Sequence, residues 1–185
     1  MLNPAYSEGK KDESPVTTTN NSAPLTTVIV DPRSEEGLAA VRRFYVDIVG
    51  RYWGRPAMDA EVEQAMLDEP SEDLRGEGGF LLLVQDDARV VGCGGVRFVS
   101  PGVGELTRIF IDASARGRGA GRMLISELES ISARRGVHTL RLTVRDDLVE
   151  AHQLYQRLGY EKVDPFSTSP YADHHLAKTL SPTAE

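Results

Sequence analysis

The sequence predicts an α+β domain with a mainly antiparallel sheet flanked by helices. Three β-type segments, 80–85, 89–99 and 105–111, follow one another with only short turns between them, which is typical of an antiparallel meander. Segments with helical periodicity lie before and after this meander. The regular strand–helix alternation of a doubly wound nucleotide-binding fold is therefore not expected.

The N-terminal elements follow from residue type and spacing. Ser34 is a good helix N-cap, because Glu35 and Glu36 then lie in the first turn, where the helix dipole favours acids. Apolar residues continue at helical spacing as far as Val49, and Gly50 is predicted to end that helix. In chain order, the predicted elements are strand 27–30, helix 35–49, helix 59–67 and strands 80–85, 89–99 and 105–111.

The C-terminal elements are helices interleaved with strands. Alternation of apolar and polar residues predicts a strand over 139–144. Asp147 followed by Glu150 resembles a capping box for the next helix, whose apolar face contains Tyr155 and which is predicted to end at Gly159. The remaining predicted elements are a helix over 123–135 and strands near 160–163 and 175–180.

Composition limits the classes of protein to which this chain can belong. Lys and Arg total 21 against 28 Asp and Glu, and the net charge of −7 argues against general binding to nucleic acid or to anionic membranes. Cys93 is the only cysteine, so neither an internal disulfide nor a cysteine-built zinc site is expected. Its neighbours Gly92 and Gly94 predict a bulge or a close backbone approach around a buried thiol.

The organisation predicted along the chain is a tail followed by one domain. Residues 1–25 contain prolines, a Thr/Asn run and few aliphatic residues, and they are predicted to be disordered. The remainder, 26–181, is predicted to be a single domain. With no apolar leader and no run long enough to span a bilayer, we expect a cytoplasmic protein.

A glycine-rich segment between a predicted strand and a predicted helix is the strongest candidate for a binding site. It reads Arg116-Gly117-Arg118-Gly119-Ala120-Gly121-Arg122. Its glycines allow tight turns and leave backbone N–H groups uncovered at a helix N-terminus, where the dipole attracts anions. No acid accompanies the three arginines between residues 113 and 126, so the expected ligand group is a phosphate or pyrophosphate. A flexible connector with solvated arginines is the alternative.

Two common phosphate-binding motifs do not fit this segment. A P-loop requires Lys and then Ser or Thr after its last glycine, whereas Gly121 is followed by Arg122 and Met123. The dinucleotide fingerprint requires Gly-x-Gly-x-x-Gly opening a βαβ unit, whereas this Gly-x-Gly-x-Gly follows a meander. Both nucleotide-binding interpretations are therefore disfavoured.

The glycine-rich segment resembles the signature of the GNAT superfamily of N-acetyltransferases. Arg116-x-x-Gly119-x-Gly121 matches the Arg/Gln-x-x-Gly-x-Gly/Ala motif of that family, and residues 109–112 resemble its fourth strand. Residues 151–160 resemble its Ala-x-x-Leu-Tyr-x-x-x-Gly-Phe/Tyr segment. The similarity extends over 26–180 and is densest over 105–160.

The resemblance implies a fold and a co-substrate, acetyl-CoA, with no metal. In a GNAT-like sheet the fourth and fifth strands splay apart, and the pantetheine lies between them. By this resemblance the backbone of Ile109, Phe110 and Ile111 would pair with the pantetheine, and a fourth-strand amide would polarise the thioester carbonyl. The amides of the loop would hold the pyrophosphate; its residues are Arg116, Gly117, Arg118, Gly119, Ala120, Gly121 and Arg122. One departure is Leu148, which stands where the family often has Asn.

Two residues are candidates for acid–base chemistry. The resemblance implies that Tyr155 protonates the leaving thiolate, although its place on an apolar helix face fits a core tyrosine too. Glu105 resembles the general base of the histone-acetylating branch and would bind the acceptor amine or take its proton; an exposed carboxylate at a strand edge is the alternative. On a regular strand, residues 105, 107, 109 and 111 would share one face.

The acceptor is expected to be a small-molecule or peptide amine. Aromatic and apolar residues predicted to line its pocket are Tyr52, Trp53, Met58, Phe166 and Tyr171. A module that binds acyl-CoA without turnover is the competing interpretation. Dimers are common in the family that the chain resembles, so a homodimer is a further expectation to test.

No metal site is predicted from the histidines. His174 and His175 are adjacent on a predicted strand, so their side chains point to opposite faces and make a poor pair of ligands. His152 lies on the last predicted helix and is expected to face solvent.

Overall fold

The computed structural model describes residues 24–181, and Leu25 already belongs to the first strand. The predicted disordered tail therefore lies, up to residue 23, outside the described residues. The elements in chain order are β1 (Leu25–Val30), α1 (Glu35–Trp53), α2 (Asp59–Asp68), β2 (Gly79–Asp86), β3 (Arg89–Ser100), β4 (Val103–Ile111), α3 (Ala120–Arg134), β5 (Thr139–Val144), α4 (Val149–Arg157), β6 (Glu161–Lys162) and β7 (His174–Thr179). A single 3₁₀ turn, Ala113–Ala115, follows β4.

The seven strands form one mixed sheet in the order β1-β2-β3-β4-β5-β7-β6. Every neighbouring pair is antiparallel except β4 and β5, which are parallel. The first four strands lie side by side in the sheet in the order of the chain. Short turns join β2, β3 and β4. The predicted α+β architecture with a mainly antiparallel sheet is confirmed.

β4 and β5 pair only at their first residues. Residues 103–105 lie in register with residues 139–141, and no further pair joins the two strands. β4 nevertheless continues to Ile111 and β5 to Val144. The strands therefore separate after Glu105, which confirms the splayed fourth and fifth strands that the family resemblance implied.

Two hydrophobic cores lie on opposite faces of the sheet. The core under α3 and α4 contains Leu82, Leu128 and Tyr155. The core under α1 and α2 contains Leu81 and Cys93. The side chains of consecutive β2 residues thus point alternately into the two cores. Burying each leucine completely stabilises the fold by about 1.5–3 kcal/mol relative to an exposed leucine. This double burial explains why β2 is an uninterrupted apolar run.

The prediction that Gly50 ends the first helix is wrong. Ser34 caps α1 as expected, because its hydroxyl oxygen accepts a hydrogen bond from the Gly37 N–H at 3.1 Å. The helix passes through Gly50 and ends at Gly54, whose φ of 63° provides the left-handed C-cap. Although α1 has 19 residues, neither it nor any other helix within 24–181 is long and apolar enough to cross a membrane.

The predicted capping box of α4 is absent. α4 has Leu148 at its N-cap, with no side-chain capping bond. The Asp147 carboxylate instead accepts two hydrogen bonds from Arg145, at 2.8 and 2.5 Å. Glu150 pairs with Arg51 of α1 at 2.5 Å. Both acids therefore bind arginines, which compete with the helix N–H groups for the same oxygens.

Candidate functional site

The gap between β4 and β5 exposes one backbone edge of β4. Residues 106–111 have no partner on the β5 side, while Phe110 and Ile111 pair with β3 on the other side. Unpaired N–H and C=O groups along a strand edge are a template for an extended ligand. The backbone groups of Ile109, Phe110 and Ile111, predicted to contact the co-substrate, lie on this stretch.

A β-bulge interrupts β4 within the gap. Cys93 is paired with Phe110 and Gly95 with Thr107, so Arg108 and Ile109 together face the single residue Gly94. Arg108 has a φ of 58°, a left-handed conformation that costs a non-glycine residue about 1–3 kcal/mol. Such strain persists only where the surrounding structure imposes it.

The bulge overturns the prediction that residues 105, 107, 109 and 111 share one face. Ile109 and Ile111 pack against the core under α3 and α4. Glu105 pairs with Arg141, which alternates along β5 with the core residues Leu140 and Leu142 and so faces the α1 side. One extra residue in the strand therefore reverses which side chains point to each face.

The Arg108 side chain holds the bulge against the end of α2. It is 4% exposed, and its guanidinium donates to the Glu69 carbonyl oxygen at 2.6 Å and to Ser71 Oγ at 3.0 Å. It also lies over the Tyr45 ring, 5.1 Å from the centroid. Sequence patterns gave no sign that Arg108 is functionally important. Neither the bulge nor a hydrogen-bond partner 39 residues away can be recognised from neighbouring residues.

The glycine-rich loop presents backbone N–H groups at the N-terminus of α3. Gly117 and Gly119 have φ values of 75° and 82°, and Gly119 is the N-cap without a side-chain capping bond. Among the described residues, none of the N–H groups of 117–122 donates a hydrogen bond of ordinary geometry to the protein. Such a run of free donors at a positive helix end is suited to an anion.

The arginines of the loop are less free than their sequence suggests. Arg118 donates to the Asp86 carboxylate at 2.5 Å, and this hydrogen bond lowers the pKa of Asp86. Arg116 donates to the Ile111 carbonyl oxygen at 3.0 Å and approaches Asp47 at 3.6 Å. Acids from distant parts of the chain therefore offset much of the local positive charge, and the backbone donors become the principal anion-binding groups.

Tyr155 lies in the core on the α4 side of the gap. It is 4% exposed, and its ring packs edge-on against Tyr160 at 5.5 Å. Within 24–181, no protein group hydrogen-bonds its hydroxyl, and burial raises the pKa of this phenol well above its usual range. Leu154 links this helix to the loop, since a Cβ at Gly121 would lie 3.2 Å from Leu154 Cδ2. The phenol therefore stays protonated beside the gap.

Glu105 lies on the opposite face, where the gap begins. Its carboxylate accepts a hydrogen bond from Arg141 Nε at 3.1 Å, and its side chain is 26% exposed. The Arg141 guanidinium stacks on Phe166, 4.1 Å from the ring centroid. The structure therefore does not bring Tyr155 and Glu105 together; it places them on the two sides of the sheet, with the gap between them.

Aromatic residues border the α1 side of the gap. Tyr52, at the end of α1, packs edge-on against Tyr171 of the β6–β7 connector at 5.4 Å. Arg145 lies over the same Tyr52 ring, 5.4 Å from its centroid. Trp53 and Met58 are 55% and 56% exposed nearby in the chain. These residues are the ones predicted to line an acceptor pocket, and that role stays a prediction.

Three further sequence expectations have clear structural outcomes. Cys93 is buried as predicted, with Sγ donating to the carbonyl oxygens of Ala40 and Arg108 at 3.6 and 3.3 Å. The expectation that His152 faces solvent is wrong: the residue is half-buried, and its ring packs edge-on against His174 at 4.5 Å. His174 and His175 do diverge, since His174 contacts His152 whereas His175 contacts Phe166.

A separate cavity lies at the other end of the sheet. Its volume is about 380 Å³, and Ile29 of β1 and Ile131 of α3 are among its lining residues. It includes no residue of the glycine-rich loop, of β4 or of β5. The residues predicted to bind acetyl-CoA or to transfer protons therefore lie outside this cavity.

Comparison with known proteins agrees with the geometry. Residues 38–160 match the sequence model of the Acetyltransferase (GNAT) family. The chain is 29% identical over 108 residues to an uncharacterized N-acetyltransferase of Schizosaccharomyces pombe, covering 56% of this chain and 66% of the relative. It is 38% identical over 93 residues to a mycothiol acetyltransferase of Kytococcus sedentarius, covering 49% and 31%. The PaiA N-acetyltransferase of Thermoplasma acidophilum, solved with coenzyme A, superimposes with a TM-score of 0.64 at 18% identity, over 83% of this chain and 99% of that one.

Proposed function

Because the chain belongs to the GNAT family of acetyltransferases, we propose that it transfers an acetyl group from acetyl-CoA to a primary amine by direct attack in a ternary complex. The observation that carries this proposal is the placement of the free N–H groups of 117–122 at the end of the unpaired edge of β4. A phosphate-binding helix end and an open strand edge are then continuous. Coenzyme A has the same two parts in the same order, a pyrophosphate and an extended pantetheine.

The loop and the strand edge have separate roles in binding acetyl-CoA. The N–H groups of the loop would receive the pyrophosphate, with Arg122, which is exposed, adding charge. The backbone groups of 109–111 that point away from β3 would pair with the amides of the pantetheine, as a neighbouring strand would, and Arg116 would release the Ile111 carbonyl oxygen where that oxygen takes part. The PaiA protein of Thermoplasma acidophilum, which has the same fold, was solved with coenzyme A, and this supports coenzyme A as the ligand.

The two candidate catalytic residues divide the proton transfers. The amine nitrogen attacks the thioester carbon, so an N–C bond forms and the C–S bond breaks. A backbone N–H of β4 would polarise the carbonyl oxygen. Tyr155 would give its proton to the departing sulfur, and Glu105 would take the proton that the nitrogen loses. Tyr155 and Glu105 lie on opposite faces of the sheet. This placement fits the two roles, because the amine attacks the carbonyl carbon from one side and the thiolate leaves from another.

Glu105 must leave or share Arg141 to act as a base. The pair is a quarter to a third exposed, and ion pairs of this kind contribute only about 0.2–1 kcal/mol. An incoming ammonium group would compete with Arg141 for the same oxygen. We propose that Glu105 first binds the cationic acceptor, which loses one proton to solvent and becomes the neutral nucleophile. Glu105 then takes the second proton, which the nitrogen loses on attack, while Arg141 remains stacked on Phe166.

The decisive experiment measures free thiol released from acetyl-CoA with a panel of primary amines. Acceptor-dependent release by the wild type, lost in Gly119→Val and retained in Arg118→Ala, is the expected result. Binding of acetyl-CoA without release by any amine would favour the competing function, an acyl-CoA-binding module. Wild-type protein that fails to bind acetyl-CoA at all would overturn both.

A further inference from the structure

Three side chains with metal-binding atoms converge on the α4 face of the sheet, outside the gap. Asp146 is the second residue after β5, His152 lies on α4 and His174 is the first residue of β7. One ring nitrogen of each histidine and a carboxylate oxygen all lie within 4.8 Å of one another. We propose that Asp146, His152 and His174 bind a divalent transition metal ion of the zinc type. This site is independent of the acetyl-transfer chemistry.

The fold holds the two strand ends of this cluster in a fixed relation. Val144, the last residue of β5, pairs with His174 in the sheet. The Asp146 N–H donates to Asp173 Oδ2 at 3.0 Å, which ties the second residue after β5 to the residue before β7. His174 Nε2 is already hydrogen-bonded to Asp146 Oδ1. Backbone pairing therefore positions two of the three ligands before any ion binds.

His152 supplies the strongest sign that a partner is missing. Its Nε2 is buried, and no group among the described residues hydrogen-bonds it. Buried polar atoms in folded proteins are nearly always bonded to protein, water or an ion. A histidine packed only to fill space could be replaced by a leucine or phenylalanine at lower desolvation cost. The unpaired nitrogen beside a histidine–carboxylate pair fits a ligand that is not protein.

The donor set selects the class of metal. Two imidazoles and one carboxylate suit Zn²⁺, Co²⁺ and Ni²⁺, with water completing the coordination. Mg²⁺ and Ca²⁺ prefer ligand sets made entirely of oxygen. Zinc–ligand bonds are about 2.0–2.2 Å, so ligands of one ion lie about 3.4 Å apart in a tetrahedron. The 4.8 Å limit therefore requires a side-chain movement of about 1 Å, which Asp146 can make because its side chain is 78% exposed.

A bound ion would fasten α4 to the sheet near Tyr155. His152 and Tyr155 are three residues apart on α4, and the N-terminus of this helix has no side-chain cap. An ion that binds only the folded chain lowers the unfolding equilibrium constant about 100-fold at 100 times its Kd. The site would therefore stabilise the helix that carries the proposed acid without touching the substrates.

The test uses Co²⁺ as the probe with untagged, chelator-treated full-length protein. Visible ligand-field absorption and calorimetry should show one Co²⁺ per chain, displaced by Zn²⁺ and unaffected by excess Mg²⁺. Removing a direct ligand should weaken binding by more than the 10–100-fold typical of outer-shell partners. His152→Gln, His174→Gln and Asp146→Asn are the test variants. The matched control is His138→Gln, because His138 is exposed and lies outside the cluster.

The outcomes separate the alternatives. Loss of binding in all three variants, with His138→Gln unchanged, supports the site. Because Asp146 is exposed, Asp146→Asn tests the carboxylate without disturbing the core, and circular dichroism verifies that each variant is folded. No binding by the wild type overturns the proposal, and so does wild-type affinity in folded His152→Gln, which would reduce the cluster to a histidine–aspartate hydrogen bond.

Discussion

The Arg108 guanidinium donates a hydrogen bond to the Glu69 carbonyl oxygen at 2.6 Å, which ties the bulge of β4 to the end of α2. The contact joins a strained strand residue to the residue that terminates a helix. Arg108 is buried, so the bond is formed away from competing water. The backbone shape proposed to present the β4 amides to the thioester therefore depends on a side chain outside the gap.

Arg108→Met should destabilise the fold and impair acetyl-CoA use together. Hydrogen bonds from a charged donor each contribute about 1.5–3 kcal/mol, so we expect a loss of about 3 kcal/mol in the free energy of unfolding, measured with urea. Arg75→Met is the control, because Arg75 is exposed and makes only a local bond to Glu72. Equal stability of the two variants would show that the hydrogen bonds of the Arg108 side chain are not needed to stabilise the fold.

Gly119→Val should abolish detectable acetyl-CoA binding in calorimetry. Valine is strongly disfavoured at the φ of 82° that Gly119 adopts, so the loop must change shape. Arg118→Ala should weaken binding by less than about tenfold, because exposed ion pairs such as Arg118–Asp86 contribute at most about 1 kcal/mol. Wild-type affinity in folded Gly119→Val would remove the loop from the proposed site.

Tyr155→Phe should lower kcat by about 10- to 1,000-fold, as expected for loss of a general acid. The melting temperature should change little, because no protein group among the described residues bonds the hydroxyl. Tyr155→Ala should instead cost about 3–5 kcal/mol of stability through loss of core packing. A Phe variant with wild-type kcat, where chemistry limits the rate, would leave Tyr155 as a core residue only.

Glu105→Gln should lower kcat by about 10²- to 10⁴-fold while changing stability by less than about 1 kcal/mol. The amide preserves the shape of the side chain and one contact with Arg141 but cannot accept a proton from the amine. Glu72→Gln, at an exposed residue away from the gap, serves as the control in the same thiol-release assay. If Glu105→Gln only raised KM, its role would be acceptor binding rather than proton transfer.

Cys93 should resist thiol reagents in the folded protein and react on unfolding. Burial raises the pKa of this thiol to about 12, from a model-peptide value of 9.0. Between these values the folded chain holds a proton that the unfolded chain has lost, so stability should fall as the pH rises from about 9 to about 12. Urea melts across this range for the wild type and Cys93→Ala test this: the fall in stability should be shallower in Cys93→Ala, and an identical pH dependence of the two proteins would contradict it.

Sequence patterns predicted correctly those elements in which the spacing of apolar residues follows the buried face. β5 has the bounds that its alternating residues indicated, 139–144, because its inward side is a continuous core. The glycine-rich loop also lies where predicted, since positive φ values at Gly117 and Gly119 demand residues without a Cβ. Ser34 caps α1 as predicted, because its side-chain oxygen accepts a hydrogen bond from the Gly37 N–H at 3.1 Å.

Features that depend on distant partners could not be predicted in the same way. The bulge at Arg108 depends on the register between β3 and β4, which no single strand encodes. Loop arginines lost their free charge to the distant Asp47 and Asp86, whereas Asp147 failed as a cap because Arg145, only two residues before it, binds its carboxylate. The pairing of His152 with His174 joins α4 to β7 across 21 intervening positions, so the adjacency of His174 and His175 in the sequence gives no sign of it.

The gap between β4 and β5 makes the protein a sheet with one strand's place left open in its interior. Along 106–111 no strand pairs with β4 on the β5 side, and the Ile111 carbonyl oxygen accepts its hydrogen bond from the Arg116 side chain instead. Among the described residues, strand pairing joins the four-stranded half to the three-stranded half only at residues 103–105, which pair with 139–141. An extended ligand in the gap would bridge the two halves of the sheet. Ligand binding would therefore also make the sheet more rigid.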